Sequence, residues 1–144
     1  MGLVSKSCEY GIRAALYVAA HGKDRLTPIP EIARELGLSF HFLTKILQRL
    51  TRTGILRSSR GAGGGVMLAR PPGCVFLLEI ILAIDDSFAV PVCLLGGGCA
   101  EREGGCPLHL AWLRERSRIE SIFGETTLED LVGGNGLPAG GLDA

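Results

Sequence analysis

Ile29-Pro-Glu-Ile-Ala-Arg-Glu-Leu-Gly-Leu-Ser39-Phe-His-Phe-Leu-Thr-Lys-Ile-Leu-Gln-Arg-Leu-Thr-Arg-Thr-Gly54 is the stretch that decides the fold. Pro30 suits the first position of a short helix and Gly37 the position just past its end. Leu38 bridges to Ser39, a good N-cap, and a longer helix runs from there to about Thr53, stopped by Gly54. Two helices joined by a turn containing glycine make a helix-turn-helix. In the second of them Leu43, Ile46, Leu47 and Leu50 recur at i, i+3, i+4 and i+7, so they face a core. His41, Thr44, Lys45, Gln48, Arg49 and Arg52 are left outward. Such a face fits a major groove, with its leading residues, Ser39 and Phe42 among them, at base edges and the later arginines at phosphates. A solvated helix surface is the plain alternative for any one of these side chains; the face as a whole carries the reading.

Downstream, Ile55 to Arg60 and Val66 to Arg70 read as two short strands around the tip Gly61-Ala-Gly-Gly-Gly65, a β-hairpin wing. Glycine lets the tip backbone approach a phosphate or enter a narrow minor groove, which makes Gly63, Gly64 and the cation Arg60 candidate DNA contacts. A nucleotide-binding glycine loop would need a G-K-[ST] ending and a following helix, and both are missing. Upstream, a helix opening at Ser7 places Ile12, Ala15, Leu16 and Ala19 on one packing face, and Leu26-Thr-Pro-Ile29 leads from it into the helix-turn-helix.

The 144-residue chain has formal net charge zero, a total that hides a split. Residues 1 to 70 carry 11 Lys+Arg against 4 Asp+Glu, hence +7, and residues 71 to 144 carry 4 against 11, hence −7. The first half has the electrostatic footprint of a nucleic-acid binder. A hydrophobic content of 47% is enough for a core. The absence of a long apolar run or a signal-peptide pattern leads to the expectation of a cytoplasmic protein with no membrane partner. Five cysteines, three of them grouped, fit a reducing compartment with a metal site better than a disulfide framework.

Ser5-Lys-Ser-Cys-Glu-Tyr-Gly-Ile-Arg-Ala14, Ile29 to Ser39 and Arg60-Gly-Ala-Gly-Gly-Gly-Val66 together resemble the Rrf-two (Rrf2) family of winged-helix bacterial regulators, over roughly residues 1 to 132. That family includes an iron-sulfur cluster assembly regulator and a nitric-oxide-sensitive repressor. Ala62 stands where the family's wing usually has proline, and Val66 where an aromatic often follows the glycines. The resemblance implies a mainly α fold with a small β-wing: a DNA-binding domain over 1-72, then a linker helix, cysteine loop and dimerisation helix over 73-132, and a glycine-rich, disordered tail over 133-144. Val75 to Ile84, apolar almost all round, suits a buried linker helix ended by Asp85-Asp86-Ser87. A helix from about Pro107 to Phe123 carries Leu108, Trp112, Ile119 and Ile122 in a stripe suited to pairing with a second copy, so a homodimer on a palindromic operator is expected. Thr126-Thr-Leu-Glu-Asp130 has a capping pattern and opens a last short helix.

Cys93, Cys99 and Cys106 precede His109 in the pattern C-x5-C-x6-C-x2-H, within glycines that allow the chain to wrap a cluster. Thiolates are the ligands that iron-sulfur clusters need. Zinc held by the Cys3His set remains open, as does a lost site surviving as thiols or a disulfide. The resemblance implies His109 as fourth ligand and a 2Fe-2S cluster, with 4Fe-4S as the other type and loss of the cluster expected on purification in air. It also offers Glu9 of the partner subunit as the alternative ligand. Cys8 is a further ligand candidate at a helix N-terminus, with packing the simpler role. Cys74 is expected in the core, and His21 and His41 have no ligand spacing. No C-x-x-C beside a βαβ unit, Ser-His-Asp set or paired carboxylates point to an enzyme. The expected function is a DNA-binding transcriptional regulator, in the sense of a repressor, controlled by a cluster that reads redox state, nitric oxide or iron-sulfur status; a cluster-free or zinc-bearing DNA-binding protein is the alternative.

Overall fold

A computed structural model describes residues 3–86, 88, 90, 93 and 105–133. In chain order the elements are α1 (Lys6–His21), α2 (Ile29–Leu36), α3 (Phe40–Arg52), β1 (Leu56–Ser59), β2 (Gly65–Leu68), α4 (Leu77–Ile84), α5 (Pro107–Glu125) and α6 (Leu128–Gly133), with one 3-10 turn at Pro72–Cys74. The class is the expected one: among the described residues, helices around one two-stranded antiparallel hairpin. No helix among the described residues is long and apolar enough to cross a membrane.

α1 begins at Lys6 because Ser5, not Ser7, caps it, its hydroxyl accepting the Cys8 N–H at 3.2 Å. Its buried surface is wider than the expected stripe and takes in Cys8, Gly11, Ala14 and Val18, while Ile12 is only half-buried. The cause is position: α2, α3, α4, α6 and β2 all pack against α1, so small residues must let them approach. At Gly11 the approach is closest, since a Cβ there would lie 2.0 Å from Ile84 Cδ1.

α2 starts at Ile29, one residue before Pro30. The reason lies in the preceding segment, whose sequence pattern predicts only a lead-in. Thr27 forms an isolated antiparallel bridge with Val66, donating to its carbonyl at 2.8 Å and accepting from its N–H at 2.9 Å. The chain is therefore held extended until Pro28, which becomes the N-cap residue. Glu31 then ties the helix down: its carboxylate accepts from Arg25 at 2.9 Å and from Tyr17 Oη at 2.8 Å. These two donors, Arg25 foremost, hold its pKa below the usual range.

α3 keeps its expected limits, with Ser39 as N-cap and Thr53 as C-cap. Leu43, Ile46, Leu47 and Leu50 are all buried. At about 1.5–3 kcal/mol for each large aliphatic side chain withdrawn from water, this inner face accounts for the helix's place, leaving the outer face free for another purpose. The wing pairs Leu56 with Leu68 and Ser59 with Gly65.

The expected domain limit after residue 72 falls inside the 3-10 turn, whose first residue is Pro72. Cys74, expected in the core, ends that turn and is exposed, while its carbonyl accepts from Arg70 at 3.1 Å. The linker helix is shorter than expected because Phe76 is extended and bridged to Thr127. Glu79 accepts the Phe76 N–H at 2.9 Å and so caps α4 from inside its first turn. Ile80, Ile81 and Ile84 are buried, whereas Leu82 is exposed. α6 opens on a reciprocal cap, Thr127 N–H to the Asp130 carboxylate at 2.9 Å and Asp130 N–H to Thr127 Oγ1 at 3.1 Å. The tail beyond Gly133 lies outside the described residues.

Candidate nucleic-acid interface and metal centre

The outer face of α3 and the wing form one continuous surface. His41, Lys45, Gln48 and Arg52 are exposed along the helix, Ser39 is exposed at its start, and Thr44 is half-buried on the flank. Ser39 spends its hydroxyl oxygen on the Phe42 N–H at 3.2 Å, and Thr44 donates to the Phe40 carbonyl at 2.7 Å. Across from them, Gly61 and Gly63 take φ of 94° and 74° at the wing tip, conformations that a β-carbon disfavours. Gly64 N–H closes the tip onto the Gly61 carbonyl at 2.9 Å. Arg60 stands exposed beside it. Between helix and wing runs a cleft of about 440 Å³ whose polar lining includes Gln48, Arg52, Ser58, Ser59 and Arg60. Two guanidinium groups and two hydroxyls around such a cleft suit the sugar-phosphate edge of a duplex.

Two predicted DNA contacts are placed differently. Phe42 is half-buried and packs edge-to-face on Tyr10, ring centroids 6.0 Å apart. Arg49 reaches sideways and donates from Nη1 to the Ile84 carbonyl at the end of α4. Neither partner is visible to a helical-wheel reading, because each lies on an element distant in sequence. Phe40, the first residue of α3 and outside the predicted set, is the exposed aromatic here.

The second candidate site gathers at the start of α5. Cys106 is its N-cap residue and half-buried, with its carbonyl accepting the Leu110 N–H at 3.2 Å. His109 lies in the first turn, and its Nδ1 is buried with no hydrogen-bond partner among the described residues. Cys93 is half-buried. Cys99 lies outside the described residues, and among the described residues no three His, Cys, Asp or Glu side chains come together to hold a metal ion. The donor set nonetheless fits a thiophilic metal group in one testable respect: an imidazole nitrogen withdrawn from water without a partner costs about 1–3 kcal/mol, a cost that coordination removes.

The other candidate ligands are committed elsewhere. Glu9 accepts from Lys6 at 3.0 Å and from Arg13 at 2.9 Å, and the hydrogen bond from Lys6 leads the effects that lower its pKa. Cys8 is fully buried, with Sγ 3.7 Å from the Ile81 carbonyl it donates to, so it packs α1 against α4. His21 stacks on Tyr17 at 4.3 Å.

Along α5, Leu108 and Ile122 are 46% and 57% exposed, and Trp112 and Ile119 are half-buried. Leu110, not in the predicted stripe, is 61% exposed. No residue of this helix is fully buried within one chain.

A family model described as an iron-dependent transcriptional regulator, Rrf2, matches residues 4–134. The chain is 37% identical over 134 residues to the HTH-type transcriptional regulator IscR of Xenorhabdus nematophila, spanning 92% of this chain and 79% of that protein. It is also 37% identical over 130 residues to protein aau3 of Rhizobium meliloti, with 90% and 84% covered. Among solved structures, it is similar to CymR (YrzC), the global cysteine regulator of B. subtilis, at TM-score 0.77 and 27% identity, covering 94% of this chain and all of that one. It is similar to T. potens IscR at TM-score 0.69 and 26% identity, covering 90% and 85%.

Proposed function

The chain belongs to the Rrf2 family of transcriptional regulators, and from that premise we propose that it acts in the cytoplasm as a homodimeric repressor whose grip on a palindromic operator is set by an iron-sulfur cluster. Its class is that of a DNA-binding regulator and not an enzyme. Cys93, Cys99 and Cys106 would supply three thiolates and His109 the fourth ligand. The observation that carries this is the His109 Nδ1, buried without a partner among the described residues, one turn into α5 and three residues from Cys106. When bound, a 2Fe-2S group would bring a reactive centre sensitive to redox state and nitric oxide. Histidine favours that type over 4Fe-4S, and a histidine ligand makes the site dependent on pH.

Glu9 of the partner subunit is the weaker candidate for fourth ligand, since its carboxylate would first give up two ion pairs. The chain's own contribution to switching is the junction of Cys106 with α5. Ligation there would fix the helix start and, through pairing of α5 with its copy, the distance between the two α3 helices.

Anaerobic reconstitution followed by visible absorption, iron and acid-labile sulfide analysis tests the reading. A brown protein is expected, with Cys93→Ala unable to hold the group and His109→Ala holding it with an altered spectrum. A colourless protein with stoichiometric zinc would instead favour the zinc-bearing alternative. Equal operator affinity for the reconstituted protein and Cys93→Ala would sink the sensory role.

A further inference from the structure

Arg49, exposed like Lys45 and Arg52, is the cation of α3 that a hydrogen bond ties to another element among the described residues. Successive residues of a helix are about 100° apart. Arg49 therefore flanks the outward row of His41, Lys45, Gln48 and Arg52 on the side opposite Thr44 and the wing. Its Nη1 meets the Ile84 carbonyl. That carbonyl belongs to the last residue of α4, where main-chain oxygens have no intrahelical donor and the helix dipole is negative, so a guanidinium is well matched to it. The chain then continues through Phe88, which packs edge-to-face on Phe123 of α5 at 5.8 Å, and Val90, which is buried and whose carbonyl accepts from Arg116 Nε of α5 at 3.1 Å. Three residues later comes Cys93.

We propose that Arg49 is a strut and not a phosphate contact: it holds the DNA-reading helix to the segment that leads into Cys93, while Arg116 holds the other end of that segment to α5. A shift of Ile84 is then felt at the C-terminal half of α3, and a duplex seated on α3 is felt at Ile84, Asp85 and Phe88. By linkage the two effects are equal in free energy. Arg49 acts here as a positioning residue. The inference rests on the reading of α3 as the DNA-facing helix and needs no cluster to be bound.

The experiment uses the full cluster-free chain and a duplex that the wild-type protein enriches from a random pool. Two amides report the segment: Asp85 N–H, bonded to the Ile81 carbonyl at 2.8 Å, and Phe88 N–H, bonded to the Asp85 carbonyl at 3.0 Å. In the wild type the duplex should slow hydrogen exchange of both by at least roughly five-fold, the lower end of ordinary coupling between sites. In Arg49→Gln that slowing should vanish while the salt dependence of duplex binding keeps its slope. Arg49→Lys, which retains the charge but not the planar fork, should behave like Arg49→Gln. Arg116→Gln, a second variant that leaves α3 untouched, should also abolish the slowing at Phe88. The proposal is overturned if the duplex slows neither amide in the wild type or if the slowing survives in Arg49→Gln. It is equally overturned if Arg49→Gln lowers the salt slope by about one and Arg49→Lys restores it, the mark of a phosphate contact. Failure of the wild type to enrich any duplex would count against the reading of α3 itself.

Discussion

At the wing, two glycines four residues or fewer from each other carry unlike constraints. Gly63 sits at φ 74° with open space where a β-carbon would go, so Gly63→Ala should cost only the left-handed backbone penalty, about 1–2 kcal/mol. At Gly65 a β-carbon would lie 2.2 Å from the Thr27 carbonyl oxygen and 2.9 Å from Pro28 N, atoms of the main chain that cannot rotate aside. Gly65→Ala should therefore open the Thr27–Val66 bridge and destabilise the fold by more than Gly63→Ala, at or above the roughly 1–3 kcal/mol typical of overpacking, as read from urea midpoints. Arg52 and Arg60 differ from Arg49 in that no hydrogen bond ties either to a carbonyl among the described residues. Replacing either by Ala should weaken duplex binding to all sequences and reduce the salt slope by about one each. A variant with an unchanged slope would remove that residue from the phosphate contacts.

Among the elements, α6 has six residues and depends on its entry. The Thr127 N–H, and after it the Thr127 hydroxyl, hold the Asp130 carboxyl below its ordinary range. A depressed folded-state pKa means stability that is complete above the unfolded carboxylate value, near 4, and lost as pH falls through the folded value. Loss of helix α6 on acidification should follow this course in the wild type, whereas Asp130→Asn should be less stable at neutral pH and less sensitive to acid below pH 4. Chemical denaturation at pH 7 and pH 3 distinguishes the two, and an identical pH dependence would reject the cap as the cause. The limits of α3 and the start of α6 could be read from sequence because capping residues and the i, i+3, i+4 repeat act within a few residues. The starts of α2 and α4 could not be read to the residue, since each is set by a bridge to a distant residue: Thr27 to Val66 leaves Pro28 as the N-cap of α2, and Phe76 to Thr127 delays α4.

On the scale of the molecule, α5 leaves Leu108, Leu110 and Ile122 open to solvent, a surface that a second copy would cover. Leu108→Glu with Ile122→Glu should yield a monomer by light scattering and lower affinity for a two-half-site operator by a factor of about 10² or more, because the second half-site loses the gain from tethering. A double variant that stays dimeric would place the interface elsewhere. The sequence alone determined the helix-turn-helix, the wing, the charge split and the long helix α5, all of which depend on residue type and short spacing. Tertiary structure alone decided what each outward side chain meets. It turned Phe42 onto Tyr10, Arg49 onto Ile84 and Cys74 out to solvent, and it left the His109 Nδ1 buried without a partner among the described residues. The physical reason is range: periodicity tells which way a side chain leaves its own helix, but the carbonyl that Arg49 finds belongs to a residue 35 positions away, brought there only when the core closes.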